Sequence, residues 1–226
     1  MPSWLPENVS TYGADIDQLY LIILWITGII FIVVEAALIW FVVKYRHREG
    51  RKAAHIHGNW KVEVVWTVVP FILVTFIAAK SMGPWMAIKD PNRFPSNAVE
   101  IAIDAKQFEW NVTYPGADGR LGTDDDFQKR NQLHVPVGQP VRVRLSSEDV
   151  IHSLFLPSFR VKQDAVPGMQ IAVWFEVTEP GEYVLGCAEL CGLGHYRMRG
   201  SVTAYPGDAY DEWMRSGGTA AQTAAR

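Results

Sequence analysis

Cysteine is nearly absent: the 226 residues hold two, Cys187 and Cys191, with three residues between them. So few cannot build a disulfide framework, and the lack of any Cys-x-x-Cys-His run excludes a covalently attached c-type haem on this chain. No lipobox cysteine is present. An excess of positive charge is also missing. The 21 Lys and Arg are set against 24 Asp and Glu, a formal net charge of −3, so the chain has no overall basic excess of the kind that favours nucleic acid. Charge is scarcest in two stretches: Leu19 to Val43 carries only Glu35, and Val64 to Ala79 carries none. A mean hydropathy of +0.02 conceals this front-loading.

At about 1.5 Å per residue the first stretch reaches roughly 37 Å, enough to cross a ~30 Å hydrocarbon core with some tilt. The second is shorter and needs Glu63 and Lys80 at the interfaces, with Trp60, Trp66 and Trp85 suited to the aromatic belts. The sequence therefore predicts a transmembrane hairpin over 19–96, with helices at about 19–43 and 63–86. Its connecting loop, 44–61, holds Lys44, Arg46, Arg48, Arg51, Lys52 and Lys61 against the single acid Glu49, whereas residues 1–18 carry only Glu7, Asp15 and Asp17. The positive-inside rule then puts the loop in the cytoplasm and both termini outside, as expected of a two-pass protein of the bacterial inner membrane. The first helix is too long for a removed signal peptide and lacks its basic flank and cleavage site. Glu35, an expensive group in mid-membrane, is expected to be protonated or paired on a face toward other subunits.

From 97 to 207 the pattern changes to short alternating segments separated by Pro and Gly. Val141, Val143 and Leu145 alternate with Arg142 and Arg144, and Ile171, Val173, Phe175 and Val177 with Ala172, Trp174 and Glu176, so one face of each strand is buried. Further strands are expected at 100–104, 107–114, 150–156, 183–187 and 199–204, together a Greek-key β-sandwich. The acidic insert 116–126 lacks the ligand spacing of a calcium loop and reads as a solvated hairpin tip. Residues 208–226 read as a partly disordered tail.

The chemistry concentrates in Gly186-Cys187-Ala188-Glu189-Leu190-Cys191-Gly192-Leu193-Gly194-His195-Tyr196-Arg197-Met198, with a further imidazole at His152 in Glu148-Asp149-Val150-Ile151-His152. Two thiols, two imidazoles and a thioether are soft donors that suit copper, and one thiolate more than a mononuclear blue-copper site uses points to two bridged metals. A disulfide would leave His195 and Met198 without explanation, and a tetrahedral zinc site has no use for Met198. His134 has no metal partner in sequence and reads as a surface or hydrogen-bonded histidine.

The pattern Cys-x-Glu-x-Cys-x-x-x-His-x-x-Met, with Asp-Val-x-His upstream, resembles the CuA centre of subunit II of haem-copper oxygen reductases. The likeness continues through the run from Leu156 to Gly168 and through Pro180-Gly181-Glu182-Tyr183, and covers nearly the whole chain. It implies a membrane-anchored all-β protein whose exported domain is a cupredoxin-like sandwich. It also implies a binuclear copper bridged by Cys187 and Cys191, with His152 and Met198 on one metal and His195 with the Glu189 carbonyl on the other. The Glu189 carboxylate would help hold a magnesium ion shared with subunit I. Phe108 and Trp110, in Gln107-Phe108-Glu109-Trp110, stand where the family takes electrons in, although Phe108 replaces the usual Trp. Glu63 matches an acid at the mouth of a proton path.

The implied function is that of a cytochrome c oxidase subunit, receiving electrons from a separate periplasmic donor and passing them to haem in subunit I, where oxygen reduction drives proton pumping. Subunit III is a further expected partner. Residues 82–226 hold 14 basic and 18 acidic residues, a net of −4 that mildly favours a basic donor such as a cytochrome c. The intact ligand positions argue against a quinol oxidase. The absence of this helical hairpin from nitrous oxide reductase argues against that enzyme. The missing alternation of helices and strands argues against a thioredoxin-like copper-delivery protein.

Overall fold

The two apolar runs form helices, the form in which a lipid-embedded segment satisfies its own backbone hydrogen bonds. In the computed structural model, which describes residues 4–219, α1 spans Gly13–Tyr45 and α2 spans Trp60–Lys89. Phe31 and Ile32 are 64% and 66% exposed, and the most apolar window of each helix has no buried residue. Such all-round exposure of apolar side chains is stable in lipid and not in water. Asn59 caps α2 by accepting from the amides of Lys61 and Val62, and Pro70 and Pro84 lie within it. Both helices outrun the expected 19–43 and 63–86.

The chain divides into two compact units: residues 15–85 are the hairpin, and residues 1–14 with 86–226 are the other. The second is a sandwich of two five-stranded sheets. One sheet contains β1 (Val99–Lys106), β2 (Glu109–Tyr114), β3 (Phe127–Arg130), β5 (Pro140–Ser147) and β8 (Ile171–Glu176), in the order β3-β2-β1-β5-β8. The other contains β4 (Gln132–Pro136), β6 (His152–Leu156), β7 (Val161–Ala165), β9 (Gly181–Cys187) and β10 (Arg199–Tyr205), in the order β4-β10-β9-β6-β7. β1 runs parallel to β5 and β4 to β10, while the other pairs are antiparallel.

The alternation read from the sequence is the packing of this core. Val141, Val143 and Leu145 are fully buried with Ile101, Ile103 and Phe175, opposite Leu133, Leu154, Leu185 and Val202 from the second sheet. Each such side chain contributes about 1.5–3 kcal/mol. Arg142 and Arg144 point the other way, with Glu100 within 3.9 Å and 3.6 Å.

Two terminal segments pack on the sandwich. Within the tail that reads as partly disordered, Gly207–Arg215 form α3, which buries Tyr210 and Trp213. Residues 220–226 lie outside the described residues. The segment before α1 packs on the sandwich too. The Val9 amide donates to Ser158, the Thr178 amide donates to Val9, Ser10 Oγ donates to the Phe159 carbonyl at 2.9 Å, and Tyr12 OH donates to the Trp174 carbonyl. Ser10 thereby forms an isolated antiparallel bridge with Val177.

Candidate metal centre

The loop between β9 and β10 is closed at its base by strand pairing and inside by its own turns. Gly186 pairs with Arg199, the Cys187 amide donates to the Met198 carbonyl at 3.1 Å, and the amides of His195 and Met198 bond back to Gly192 and His195. β6 lies beside β9 with Leu154 opposite Cys187, so His152, the first residue of β6, reaches the same place. Gln107, in the turn between β1 and β2, donates its side-chain amide to the Cys191 carbonyl at 2.5 Å and holds the loop from the other sheet.

The donors converge. Cys187 Sγ lies 3.9 Å from Cys191 Sγ, which lies 3.7 Å from both His195 Nδ1 and Met198 Sδ. His152 Nδ1 is 3.1 Å from Met198 Sδ, and the Glu189 carbonyl is 3.2 Å from Cys187 Sγ. The ligating atoms of His152, Cys187 and Cys191 all fall within 4.8 Å of one another. A disulfide needs its sulfurs about 2.05 Å apart, so the cysteines here are free thiols. Six donors, two of them thiols, exceed the four of a tetrahedral zinc site and suit a pair of soft metals.

Burial, the nearby Cys187 and its hydrogen bond push the Cys191 thiol up to about 11. A metal ion would reverse that, because a coordinated thiol is deprotonated.

Outer contacts orient the donors. His152 is fully buried, and its Nε2 donates to Asp149 Oδ1 at 2.8 Å, leaving Nδ1 for the cluster. The same carboxylate accepts from the amides of Val150 at 2.6 Å and Gln107 at 2.8 Å. Burial alone would raise the Asp149 carboxyl, but the hydrogen bonds from His152 and these amides bring it below the ordinary carboxylate value. The geometry makes Asp149 an acid that orients His152 rather than a solvated strand end.

The other candidates separate. Trp110 is fully buried, its ring 6.2 Å from that of His152, and does not reach the surface. Phe108 is half-buried and packs on Gly192 and Gly194, where a Cβ on Gly194 would meet its ring at 2.4 Å. The Arg197 guanidinium lies 5.6 Å from the Phe108 ring centre. Glu189 is exposed although its carbonyl joins the cluster. Glu63 belongs to the first turn of α2, in the other unit. Lys162 and Asp164 pair at 3.3 Å, with Ser153 donating to Asp164 at 2.7 Å. His134 is buried rather than on the surface, bonded through Nδ1 to Tyr205 OH at 2.9 Å and stacked on Trp213. The role of Gln107 was missed in sequence; its place beside the aromatic pair was the available signal.

Residues 3–83 match the family described as "Cytochrome C oxidase subunit II, transmembrane domain", and residues 100–204 match "Cytochrome C oxidase subunit II, periplasmic domain". The chain belongs to the cytochrome c oxidase subunit II family. It is 34% identical over 233 residues to the alternative cytochrome c oxidase subunit 2 of Bradyrhizobium diazoefficiens, covering 93% of this chain and 82% of that one. It is 30% identical to cytochrome c oxidase subunit 2 of Thermostichus vulcanus, covering 93% and 77%. Among solved structures, the periplasmic domain of subunit II of the cytochrome oxidase of Bradyrhizobium japonicum aligns with a TM-score of 0.48 at 28% identity, covering 54% of this chain and 95% of that one. As a subunit II, the chain is a two-pass, membrane-anchored part of a cytochrome c oxidase, an oxidoreductase, with subunit I as its partner. The family binds copper, and the cluster above is its candidate site in this chain.

Proposed function

We propose that this chain receives electrons from a cytochrome c and delivers them to haem in subunit I, where oxygen is reduced to water with proton pumping. The observation that carries the reading is the convergence of His152, Cys187, Cys191, His195, Met198 and the Glu189 carbonyl at one end of the sandwich. These residues would hold a binuclear copper, which when bound supplies one-electron redox chemistry. The chain contributes rigidity: β6, β9 and β10 fix the donors, Asp149 sets the His152 tautomer, and Gln107 ties down the loop. A ligand set that moves little keeps reorganisation small and electron transfer fast.

The docking surface for the donor lies on the same loop. Leu190, Leu193 and Tyr196 are 77%, 98% and 83% exposed around His195, an apolar face unlike a random surface. Phe108, beside Gly194, is on this side of the site and Trp110 behind it, so electrons come in past Phe108 rather than at Trp110. The Glu189 carboxylate, free to face subunit I, is the chain's contribution to a shared magnesium. Glu63 serves as the mouth of a proton path, and subunit III completes the complex. The basic loop 44–61 supports a cytoplasmic loop and a periplasmic sandwich.

The test is rapid mixing of the assembled oxidase with reduced cytochrome c. Cys191→Ser should slow haem reduction by cytochrome c more than 100-fold while haem content stays unchanged. Undiminished haem reduction in that variant would overturn the reading.

A further inference from the structure

The basic loop between the membrane helices has a shape as well as a charge. Tyr45, Arg46, Arg48, Arg51, Lys52 and Ile56 line one recess immediately beyond the end of α1. Arg51 donates to the Lys44 carbonyl at 3.1 Å and lies 5.6 Å from the Tyr45 ring centre, while Lys44 sits 4.0 Å over Trp40. The aromatic end of α1 thus folds two cations back toward the membrane surface. None of Arg46, Arg48, Arg51 and Lys52 forms an ion pair among the described residues, and all four are exposed. Ile56, 79% exposed, puts an apolar side chain beside them.

We propose that this recess binds the headgroup of an anionic phospholipid. The lipid phosphate would be held by Arg46, Arg48 and Arg51, and its glycerol and upper acyl region would lie against Tyr45 and Ile56. Three features select this occupant. The recess continues directly from Tyr45 at the end of α1, and Trp60 opens α2, so it sits at the depth of headgroups on that side of the bilayer. Guanidinium groups bind phosphate oxygens in a planar fork. An uncompensated cluster of cations next to an apolar side chain matches an amphiphile with net negative charge; a zwitterionic headgroup carries its own cation and gains less.

The test is a lipid titration of the full-length chain in detergent micelles, read by native mass spectrometry, with phosphatidylglycerol or phosphatidylcholine added. The triple variant Arg46→Gln/Arg48→Gln/Arg51→Gln serves as comparison, and its circular dichroism checks that these exposed changes leave the fold intact. Each cation near a membrane surface contributes about a fivefold preference, so the variant should bind phosphatidylglycerol about 100-fold more weakly. Wild type should prefer it over phosphatidylcholine, and the assembled oxidase should show the same loss on substitution. Equal binding by variant and wild type, equal retention of phosphatidylcholine, or displacement of the lipid by soluble glycerol phosphate would each overturn the proposal. So would binding by the isolated chain with none by the oxidase, which would assign the recess to a partner subunit.

Discussion

Replacing Asp149 by Asn exchanges one oxygen for an NH2 group, and the surroundings of that carboxylate cannot accept the exchange. Three N–H groups point at it: His152 Nε2 and the Val150 amide at Oδ1, and the Gln107 amide at Oδ2. An asparagine has one oxygen. Placed at the Oδ1 position, it turns its NH2 toward the Gln107 amide; flipped, it turns the NH2 toward His152 and favours the tautomer with a proton on Nδ1, the atom that faces Met198. Hydrogen bonds to a charged group contribute about 1.5–3 kcal/mol, and loss of an outer partner of a metal-bound histidine costs about 10–100-fold in affinity. The Asp149 side chain is 33% exposed, so water replaces part of the loss and the lower end, about tenfold, is expected. The assay is competition for copper between the full-length chain and a chelator of known affinity, comparing wild type with Asp149→Asn at one pH. An affinity within twofold of wild type would refute the orienting role.

Below pH 6.5 the protein should lose stability through His134. Burial, helped by Lys129, holds that imidazole down at about 4, against 6.5 when unfolded. The unfolded chain therefore takes up the proton first, and stability that is full above 6.5 falls as pH drops toward 4, by up to about 3 kcal/mol. Thermal melts at pH 7 and 5 should show this slope in wild type and a shallower one in His134→Gln. Trp213→Ala should undock α3 at a cost of about 3 kcal/mol, read by denaturant unfolding, because Trp213 stacks on His134 and meets Tyr114 edge-on. Gly194→Ala should displace the Phe108 ring and disturb the loop, lowering copper content, and Gly194→Ala/Phe108→Ala should restore it. Unchanged copper content in the single variant would count against that packing.

The helices were legible because apolar length is a direct demand of the bilayer, yet their ends were not. Hydropathy marks where lipid begins, whereas α1 starts at Gly13, ahead of Asp15 and Asp17, and α2 runs through Pro84 to Lys89. The central strands showed in their alternation. β3, β4 and β7 did not: all are edge strands, as is the legible β8, but Phe127–Arg130 and Val161–Ala165 carry the polar residues that protect an edge where β8 keeps its alternation. The Gly- and Ala-rich end of the chain obscured α3, although Tyr210 and Trp213 three residues apart, with Asp208 before and Arg215 after, are a helical signal. At the candidate metal centre the spacing pointed to the side chains that the fold brings together. It could not show that Asp149 and Gln107 brace them, because those contacts arise from how the β1–β2 turn and the β5–β6 turn meet in three dimensions.

The central claim is that this loop holds two coppers, and it is tested most directly by copper quantitation with electron paramagnetic resonance on the full-length chain. The full chain is needed because the segment around Ser10 packs on the sandwich. About two coppers per chain sharing one unpaired electron, seen as a many-line or narrowed hyperfine pattern, is the predicted result. One copper with an ordinary four-line signal, or tightly bound zinc with no uptake of copper, would contradict it.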